Sequence, residues 1–565
     1  MKRIKELILK KESIVIYVLS LIYSLLLVFG YCYEKDGDAG LIFENPLNMI
    51  ISVLIFMVFF FVFKIGISKF YLYLDKKLFL KEKTKAKDID KKKSKFRILF
   101  ESHPFIVSMI FMLICWLPYI VSFYPLIMSP DPSFQIKQFF GIPNKYSTYA
   151  TLIDPNVIIT NHHPVIHTLL LGSCLKIGTL IGNDNFGLFI YSFIQILVLS
   201  SVLSYTIKYM NKLNVSYKFK LLFLLIYSFV PMFPFYSMSP VKDVIFTSLF
   251  ILYTILVYDT FKYKELGISN KKIIYMIILM ILLVLFRNNG IHMIMLSFPL
   301  LIFLCRNMWK KLLLVFLVIL GFNTCYNKVV LPYFKITPGS VREQLSIPFQ
   351  QTARFVKYHR DMLSYDDIHK IDVVLNISDL SLRYDPKLSD PVKNKFNRYA
   401  NSEHLKDYFG VWFKCFFKDP ALYVDATINN VYGYFYPFTS NWYIYHNYND
   451  TIVKDGFDFH FIDEFESGRK ILEDFGVGFP SIPIIGFISN IGFNVWVLFM
   501  LVGYLIYSKK KEGIVVLLPS LVLLLVCVAS PANTYFRYAM PYVFAMPIML
   551  CMVLNYVKSG GKNER

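Results

Sequence analysis

Long apolar runs separated by short polar stretches set the pattern of this chain. Each run covers about 16–25 residues, which is enough for a helix to cross the hydrocarbon core of a bilayer. The pattern predicts an all-α polytopic membrane protein with about 12 transmembrane helices. The predicted spans are about 13–31, 47–66, 104–127, 185–207, 219–237, 241–260, 272–289, 291–306, 312–331, 482–507, 513–530 and 538–556.

The distribution of lysine and arginine orients these spans. Basic residues gather in both termini, in the loop 64–97 and in the short loops after alternate spans. The positive-inside rule places all of these in the cytoplasm, so both termini are expected inside. The apolar segment 164–182 is interrupted by Gly172, Lys176 and Gly178, and counting it as a span would invert every later loop. We expect this segment to lie in or dip into the outer interface.

Four regions follow from this topology. They are 1–100, with two transmembrane helices and a basic cytoplasmic loop; 101–331, a transmembrane core with the outer loop 128–183; 332–480, an extracytoplasmic domain; and 481–565, with three C-terminal transmembrane helices. The third region is the only large hydrophilic one, and its pattern indicates mainly helices, one of them near 365–376. Its aromatic run, 404–438, is expected at the membrane surface, where amphipathic rings are enriched.

Composition narrows the classes of function. The chain has 565 residues, is 56% hydrophobic and carries a formal net charge of +21. This charge is confined to short loops and tails, so a membrane protein with no nucleic-acid partner is expected. The scattered cysteines form no CxxC pair and indicate neither a disulfide framework nor a zinc site. No Walker loop, dinucleotide-binding glycine fingerprint or GxSxG motif occurs, so nucleotide hydrolysis and dinucleotide chemistry are not expected.

Charged residues gather at the predicted outer ends of the spans, against the general trend. They are Lys242, Arg287, Arg354 and Arg537, accompanied by Asp131 and Asp243. A bound phosphate would explain the cations, because the guanidinium fork matches phosphate oxygens. The alternative is that each cation anchors to lipid headgroups or pairs with a nearby acid. The number of cations on one face favours a shared site for an anion.

The two carboxylates each allow two roles. Asp131 could act as a general base on an incoming hydroxyl or amine, or cap a helix that starts at Ser133. Asp243 could orient a substrate or a metal, or simply neutralise Lys242. For Asp131 the two roles are compatible. For Asp243 the simple neutralisation of Lys242 is favoured.

Histidines and amides complete the candidate site. His162 and His163 lie near His167, but their spacing differs from HExxH and no adjacent carboxylate completes a metal-binding set. Substrate hydrogen bonding or interface packing is therefore favoured over a metal, and a divalent metal stays open. His163 and His167 are four residues apart and would share one face of a helix. Asn288 and Gln350 could hold sugar hydroxyls.

Several of these stretches resemble known membrane families. The set Asn161-His-His-Pro164, Pro240-Val-Lys-Asp243, Arg287-Asn-Asn-Gly290, Phe349-Gln-Gln-Thr-Ala-Arg354 and Phe536-Arg-Tyr538 is similar to an uncharacterised bacterial multi-pass family, known only as a domain of unknown function. An Asp early in a long outer loop, a His-Pro further on, and a Lys-Asp at the head of a later span also resemble the GT-C glycosyltransferase superfamily. That resemblance implies a sugar taken from a polyprenyl-phosphate carrier at the extracytoplasmic face. It assigns the catalytic Asp to Asp131 and the Lys-Asp pair to Lys242 and Asp243.

The leading interpretation is an integral glycosyltransferase of the cell membrane. A polyprenyl-phosphate-linked sugar would enter from the lipid bilayer, its phosphate would bind some of Lys242, Arg287, Arg354 and Arg537, and a cell-envelope acceptor would be deprotonated by Asp131. A polysaccharide polymerase or ligase is the first alternative, since it also combines many spans with a large outer loop. A transporter or flippase of lipid-linked glycans predicts charges near mid-membrane and paired broken helices. A non-catalytic assembly factor is the last.

Overall fold

The computed structural model describes residues 13–75, 94–151, 157, 159–441, 443 and 450–559. These residues are almost entirely helical. The only sheet among them pairs two short parallel strands, β1 (Thr160–Asn161) and β2 (Thr337–Pro338). The predicted all-α class is therefore confirmed. The pairing joins the loop before one helix to the start of the large hydrophilic region.

The helices before this region follow the apolar runs. Those of seven or more residues are α1 (Ile14–Lys35), α2 (Pro46–Asp75), α3 (Lys95–Ser102), α4 (Pro104–Ser122), α5 (Pro130–Phe139), α6 (Lys145–Thr151), α7 (Val165–Leu180), α8 (Asp184–Lys212), α9 (Tyr217–Phe229), α10 (Met232–Met238), α11 (Lys242–Lys262), α12 (Asn270–Phe286), α13 (Gly290–Leu304) and α14 (Trp309–Cys325). A short π-helical turn then carries α14 on to Tyr333.

Seven described helices are long and apolar enough to cross a membrane, or eight if one bent pair counts as a single span. The bent pair is α9 and α10, which meet at 49°. Pro231 explains the break, because proline disfavours helical geometry in the preceding residue, and Val230 is extended with ψ 120°. The other predicted spans hold shorter helices, so the count of twelve stays a prediction.

The outermost helices indicate the surrounding medium. Along α2, large apolar side chains such as Leu54, Val58 and Val62 are 59%, 60% and 54% exposed. A continuous apolar surface of this kind is stable against lipid tails and unstable against water. By contrast, α11 is mostly buried at the centre of the bundle. The long apolar helices indicate a membrane protein, and the lipid bilayer is compatible with their surface.

The hydrophilic region 332–480 has its own core. Its longer helices are α15 (Ser346–His359), α16 (Tyr365–Val374), α17 (Ser402–Lys418), α18 (Pro420–Val431) and α19 (Glu466–Gly478). The helix predicted near 365–376 is present as α16, which begins with a capping box in which Ser364 accepts from the Asp367 amide. Tyr408 and Tyr423, predicted at the membrane surface, are fully buried in this core instead. Their hydroxyls are satisfied inside it, by Thr352 and by the Trp412 carbonyl.

Three apolar helices close the chain. They are α20 (Ile491–Tyr507), α21 (Leu518–Val528) and α22 (Phe536–Lys558). The span predicted from 482 begins at Ile491, because Ile484 adopts a φ of +67° and Asn490 supplies the cap, accepting from the Phe493 amide at 2.8 Å. Buried residues of α22 and α11 belong to the same hydrophobic core.

Candidate functional site

Asp131 stands in the first turn of α5. Ser129 occupies the cap position, so Asp131 lies inside the helix and not at its cap. The predicted capping role is therefore wrong. The carboxylate instead faces two cations, with its Oδ2 2.6 Å from Arg537 Nη1 and 3.8 Å from Lys242 Nζ. Asp131 thus joins the start of α5 to the starts of α11 and α22.

A second carboxylate lies directly behind this contact. Asp243 is fully buried, with its Oδ1 3.1 Å from Arg287 Nη1 and its Oδ2 3.8 Å from Arg537 Nε. Arg537 therefore lies between Asp131 and Asp243. Asp243 was expected to neutralise Lys242, but its ion pairs are with the two arginines. Buried charges are tolerated when they are paired in this way.

His163 extends the network on the side of Lys242. The Lys242 ammonium donates to His163 Nδ1 at 2.9 Å, and since an ammonium can only donate, the histidine proton sits on Nε2. Burial and the adjacent Lys242 charge hold the pKa of His163 well below its usual range. His163 is therefore neutral, and among the described residues its buried Nε2 has no hydrogen-bond partner.

We call these six residues, Asp131, Lys242, Asp243, Arg287, Arg537 and His163, the charge cluster. Its three cations and two carboxylates leave one net positive charge when His163 is neutral. Burial alone would raise the pKa of Asp131, but Arg537, with His163 and Lys242, holds it well below its usual range. The side chains of Asp131 and Lys242 are 21% and 16% exposed, whereas that of Asp243 is completely covered. Water can therefore reach the Asp131 and Lys242 side chains.

Two more predicted residues form the rim of the charge cluster. His162 stacks on Tyr146 with ring centroids 3.9 Å apart, and burial lowers its pKa to about 4. Asn288 donates from Nδ2 to the Asn161 carbonyl at 2.8 Å, which fixes the turn after α12 against β1. The β1–β2 pairing holds the same segment from the other side.

The remaining predicted residues lie elsewhere. Gln350 donates to the Asp385 carbonyl at 2.6 Å inside the hydrophilic region. Arg354 lies 3.6 Å from Asp425 and 4.0 Å from Asp38, where it connects α15 to the turn between α1 and α2. The structure thus brings eight of the ten predicted residues to the charge cluster and its rim, and it does not bring Gln350 or Arg354 there.

Comparison with known proteins identifies the family of this chain. Residues 3–565 match a family of unknown function, DUF6020. The chain belongs to this family. The predicted likeness to a family of unknown function is therefore confirmed, and the match extends to almost the whole length of the chain. No curated protein and no solved structure matches this DUF6020 chain.

Sequence reasoning missed Tyr538 in this DUF6020 member. The carbons at the centres of the Arg287 and Arg537 guanidinium groups each lie 5.4 Å from the centroid of its ring. The ring therefore holds both arginines by cation–π contact and fixes their separation. Its position directly after Arg537 was the available signal, but only the fold shows that one ring serves both.

The predicted histidine pair does not converge. The helix α7 begins at Val165, so His163 precedes it, and the two side chains share no helical face. His167 is held by Gln135, 3.0 Å from Nδ1, and by the Tyr191 hydroxyl, 2.7 Å from Nε2. Among the residues that the structure describes, no three His, Cys, Asp or Glu side chains are grouped to hold a metal ion. A divalent metal stays a prediction.

Proposed function

We propose that this protein is a GT-C-like glycosyltransferase that moves a sugar from a polyprenyl-phosphate donor to a cell-envelope acceptor. The observation that carries the proposal is the charge cluster, in which a reachable carboxylate stands among buried cations. Such an arrangement suits a reaction that needs a base beside a phosphate. The resemblance of Asp131, Lys242 and Asp243 to the superfamily's positions supports the same assignment.

The cations divide into two kinds. Arg287 is paired with Asp243 and held by Tyr538, so it serves as a fixed part of the frame. Lys242 and Arg537 both face the partly exposed carboxylate of Asp131, so a phosphate bound beside Asp131 would lie next to both. These two would hold the donor phosphate, since charge-assisted hydrogen bonds to phosphate are among the stronger ones in proteins. The buried Nε2 of His163 supplies one further donor nearby.

The low pKa of Asp131 makes it a weak base before a donor binds. A donor phosphate would draw Lys242 and Arg537 toward its own oxygens and add negative charge beside the carboxylate. Both effects raise the pKa of Asp131. The donor would thus activate the base, and the base would stay inactive until the donor is bound.

The transfer step balances without a further reactant. The acceptor hydroxyl loses its proton to Asp131 as its oxygen forms a bond to the anomeric carbon. The bond between that carbon and the phosphate oxygen breaks, and polyprenyl phosphate leaves with the electron pair. Lys242 and Arg537 stabilise the charge that develops on the departing phosphate.

The site is proposed to face outward. The helix α11 begins at the charge cluster and ends at Lys262, and its 21 residues span about 30 Å. Lys212 and Lys264 lie at that far end, where Lys212 pairs with Asp259 and Lys264 with Glu512. The positive-inside rule places that end in the cytoplasm and the charge cluster outside.

The test is mass spectrometry of surface glycans and lipid-linked sugars in a deletion strain. The strain carries wild type, Asp131→Asn or Asp455→Asn at equal membrane abundance. Asp455 is the matched control, because it pairs at 2.7 Å with Lys137, which lies on α5 as Asp131 does. This pair is outside the charge cluster. We expect Asp131→Asn alone to lose one surface sugar while its lipid-linked donor accumulates. A wild-type glycan pattern in Asp131→Asn would refute the proposal.

A flippase is the second candidate, because α9 and α10 form a broken helix whose end is held next to the charge cluster. Gln195 fixes that end through the carbonyls of Tyr236, Ser237 and Ser239. Vesicles that contain the purified protein and a fluorescent lipid-linked sugar separate the two functions. Transfer to an acceptor without loss of leaflet asymmetry supports the transferase, and loss of asymmetry without transfer supports the flippase.

A further inference from the structure

Two cavities meet at one aromatic side chain, Phe438. The first is a groove of about 350 Å³ lined by residues of α1 and α2, which we call the side groove. Its walls include Leu27 and Val28 from α1 and Ile51 and Ile55 from α2. Phe438 lines both the side groove and the second cavity.

The second cavity, of about 670 Å³, is called the inner cavity. It combines apolar side chains with the hydroxyl and amide groups of Thr439, Ser440 and Asn490. Among the described residues, no charged side chain lines either cavity. An ion or a charged headgroup would therefore find no partner along their walls.

Two residues that line the inner cavity contact the segment that carries Arg537. Ser440 accepts from the Thr534 hydroxyl at 3.1 Å, and Tyr443 packs edge-on against Phe536 with ring centroids 5.3 Å apart. Phe536 is followed directly by Arg537, which holds Asp131. The side groove, the inner cavity and the charge cluster thus lie in this order, with uncharged walls at one end and cations at the other.

The rim of the inner cavity is exposed and apolar. Ile482, Ile484 and Ile485 are 37%, 83% and 52% exposed on the turn that leads into α20. Exposed isoleucines on a membrane protein are stable where they dip into lipid. The mouth of the cavity is therefore suited to the bilayer surface, where a lipid can enter sideways.

We propose that the side groove and the inner cavity bind the hydrocarbon chain of the polyprenyl-phosphate donor. This inference rests on the proposed function and adds where the carrier lies. Charge complementarity supports this occupant, because a polyprenyl phosphate is one long uncharged chain that ends in a charged group. Its chain matches the uncharged walls, and its phosphate matches Lys242 and Arg537 beyond Phe536.

The test is photolabelling of the full chain in phosphatidylcholine vesicles. The probes are a polyprenyl phosphate with a diazirine in its chain and a phosphatidylglycerol with a diazirine in one acyl chain. Labelled peptides are located by mass spectrometry. We expect the polyprenyl probe to label the peptides around Ile55 and Phe438, and the phosphatidylglycerol probe to label them at least fivefold less.

Two variants of α2 sharpen this experiment. Ser52 lines the side groove, so Ser52→Trp fills it, whereas Val53→Trp adds the same ring on the neighbouring residue, which is 54% exposed and does not line it. Ser52→Trp should reduce polyprenyl labelling at Phe438 at least fivefold, and Val53→Trp should leave it unchanged. Equal labelling in both variants, or equal labelling by both probes, would overturn the inference.

The outcome is separable from the test of the transferase, because labelling requires no sugar transfer. Selective labelling that Ser52→Trp abolishes supports the chain site even if Asp131→Asn keeps its glycan. Conversely, unselective labelling combined with loss of the sugar in Asp131→Asn rejects the chain site and leaves the transferase standing.

Discussion

Replacing Asp131 with asparagine should strengthen phosphate binding while it removes the proposed base. Asp131 Oδ2 lies 2.6 Å from Arg537 and 3.8 Å from Lys242, so a phosphate on these cations would share them with the carboxylate. A cation between the carboxylate and the phosphate makes one hydrogen bond of about 3 Å to each. In line, these two bonds place the phosphate about 6 Å from the carboxylate. The low pKa of Asp131 keeps it ionised at neutral pH, and the substitution therefore removes a full negative charge.

The size of the effect follows from Coulomb's law. Two unit charges about 6 Å apart repel by about 2.8 kcal/mol at an effective dielectric constant of about 20. Since about 1.4 kcal/mol corresponds to tenfold in affinity, removing this repulsion corresponds to a gain on the order of 100-fold. We expect at least a roughly tenfold lower Kd, because asparagine also frees the two cations to turn toward the phosphate.

The assay is thermophoresis of the detergent-purified protein titrated with farnesyl phosphate at pH 7. Asp455→Asn is the control, because it removes a carboxylate that pairs with Lys137, and Lys137 lies on α5 as Asp131 does. The Kd of this variant should equal that of wild type. An equal or higher Kd for Asp131→Asn, with folding retained, would refute the assignment of Lys242 and Arg537 to a phosphate.

Three further predictions concern folding. Asp243→Asn should lower the free energy of unfolding by about 3–5 kcal/mol in a detergent titration, because it leaves the buried Arg287 without its carboxylate, whereas Asp458→Asn, at a carboxylate that is 72% exposed, should change it by under about 1 kcal/mol. Between pH 6.5 and 5.5 the wild type should lose about 1 kcal/mol that His163→Gln does not lose, since the unfolded histidine, half protonated at pH 6.5, takes up the rest of a proton and the folded one stays neutral. Gly178→Ala should cost about 1–3 kcal/mol in the same titration, since its Cβ would lie 2.6 Å from backbone atoms at the start of α8, whereas Gly66→Ala meets nothing within 4 Å and should be neutral or stabilising.

The position of the charge cluster could be predicted because charge at a span end is costly and therefore conspicuous. Lys242, Arg287 and Arg537 stood out against the distribution of other basic residues, and the structure places them together. Arg354 is also a basic residue at the predicted outer end of a span, but for a different reason. It joins the hydrophilic region to the turn near Asp38, and a span-end charge that ties two parts of a protein looks identical in sequence to one that binds a ligand.

The internal arrangement of the site could not be predicted. The sequence places Lys242 beside Asp243, yet side chains that are consecutive at the start of a helix diverge by about 100°. Asp243 therefore points to the arginines and Lys242 to Asp131 and His163. The location of two aromatic residues could not be predicted either. Tyr408 and Tyr423 have the composition of interfacial residues, but partners such as Thr352 allow them to be buried in a core of their own.

The two carboxylates of the charge cluster have different functions because they differ in access. Asp243 is covered on all sides, so no ligand can displace it, and it serves as the permanent counter-charge that allows Arg287 and Arg537 to be buried. Asp131 is 21% exposed and shares Arg537 with Asp243, so an incoming anion can replace it as the partner of that arginine. In the proposed function, a cluster with one fixed and one exchangeable carboxylate would accept a phosphate without unfolding. The same exchange leaves Asp131 as a free base beside the bound group, which is the arrangement that the proposed transfer requires.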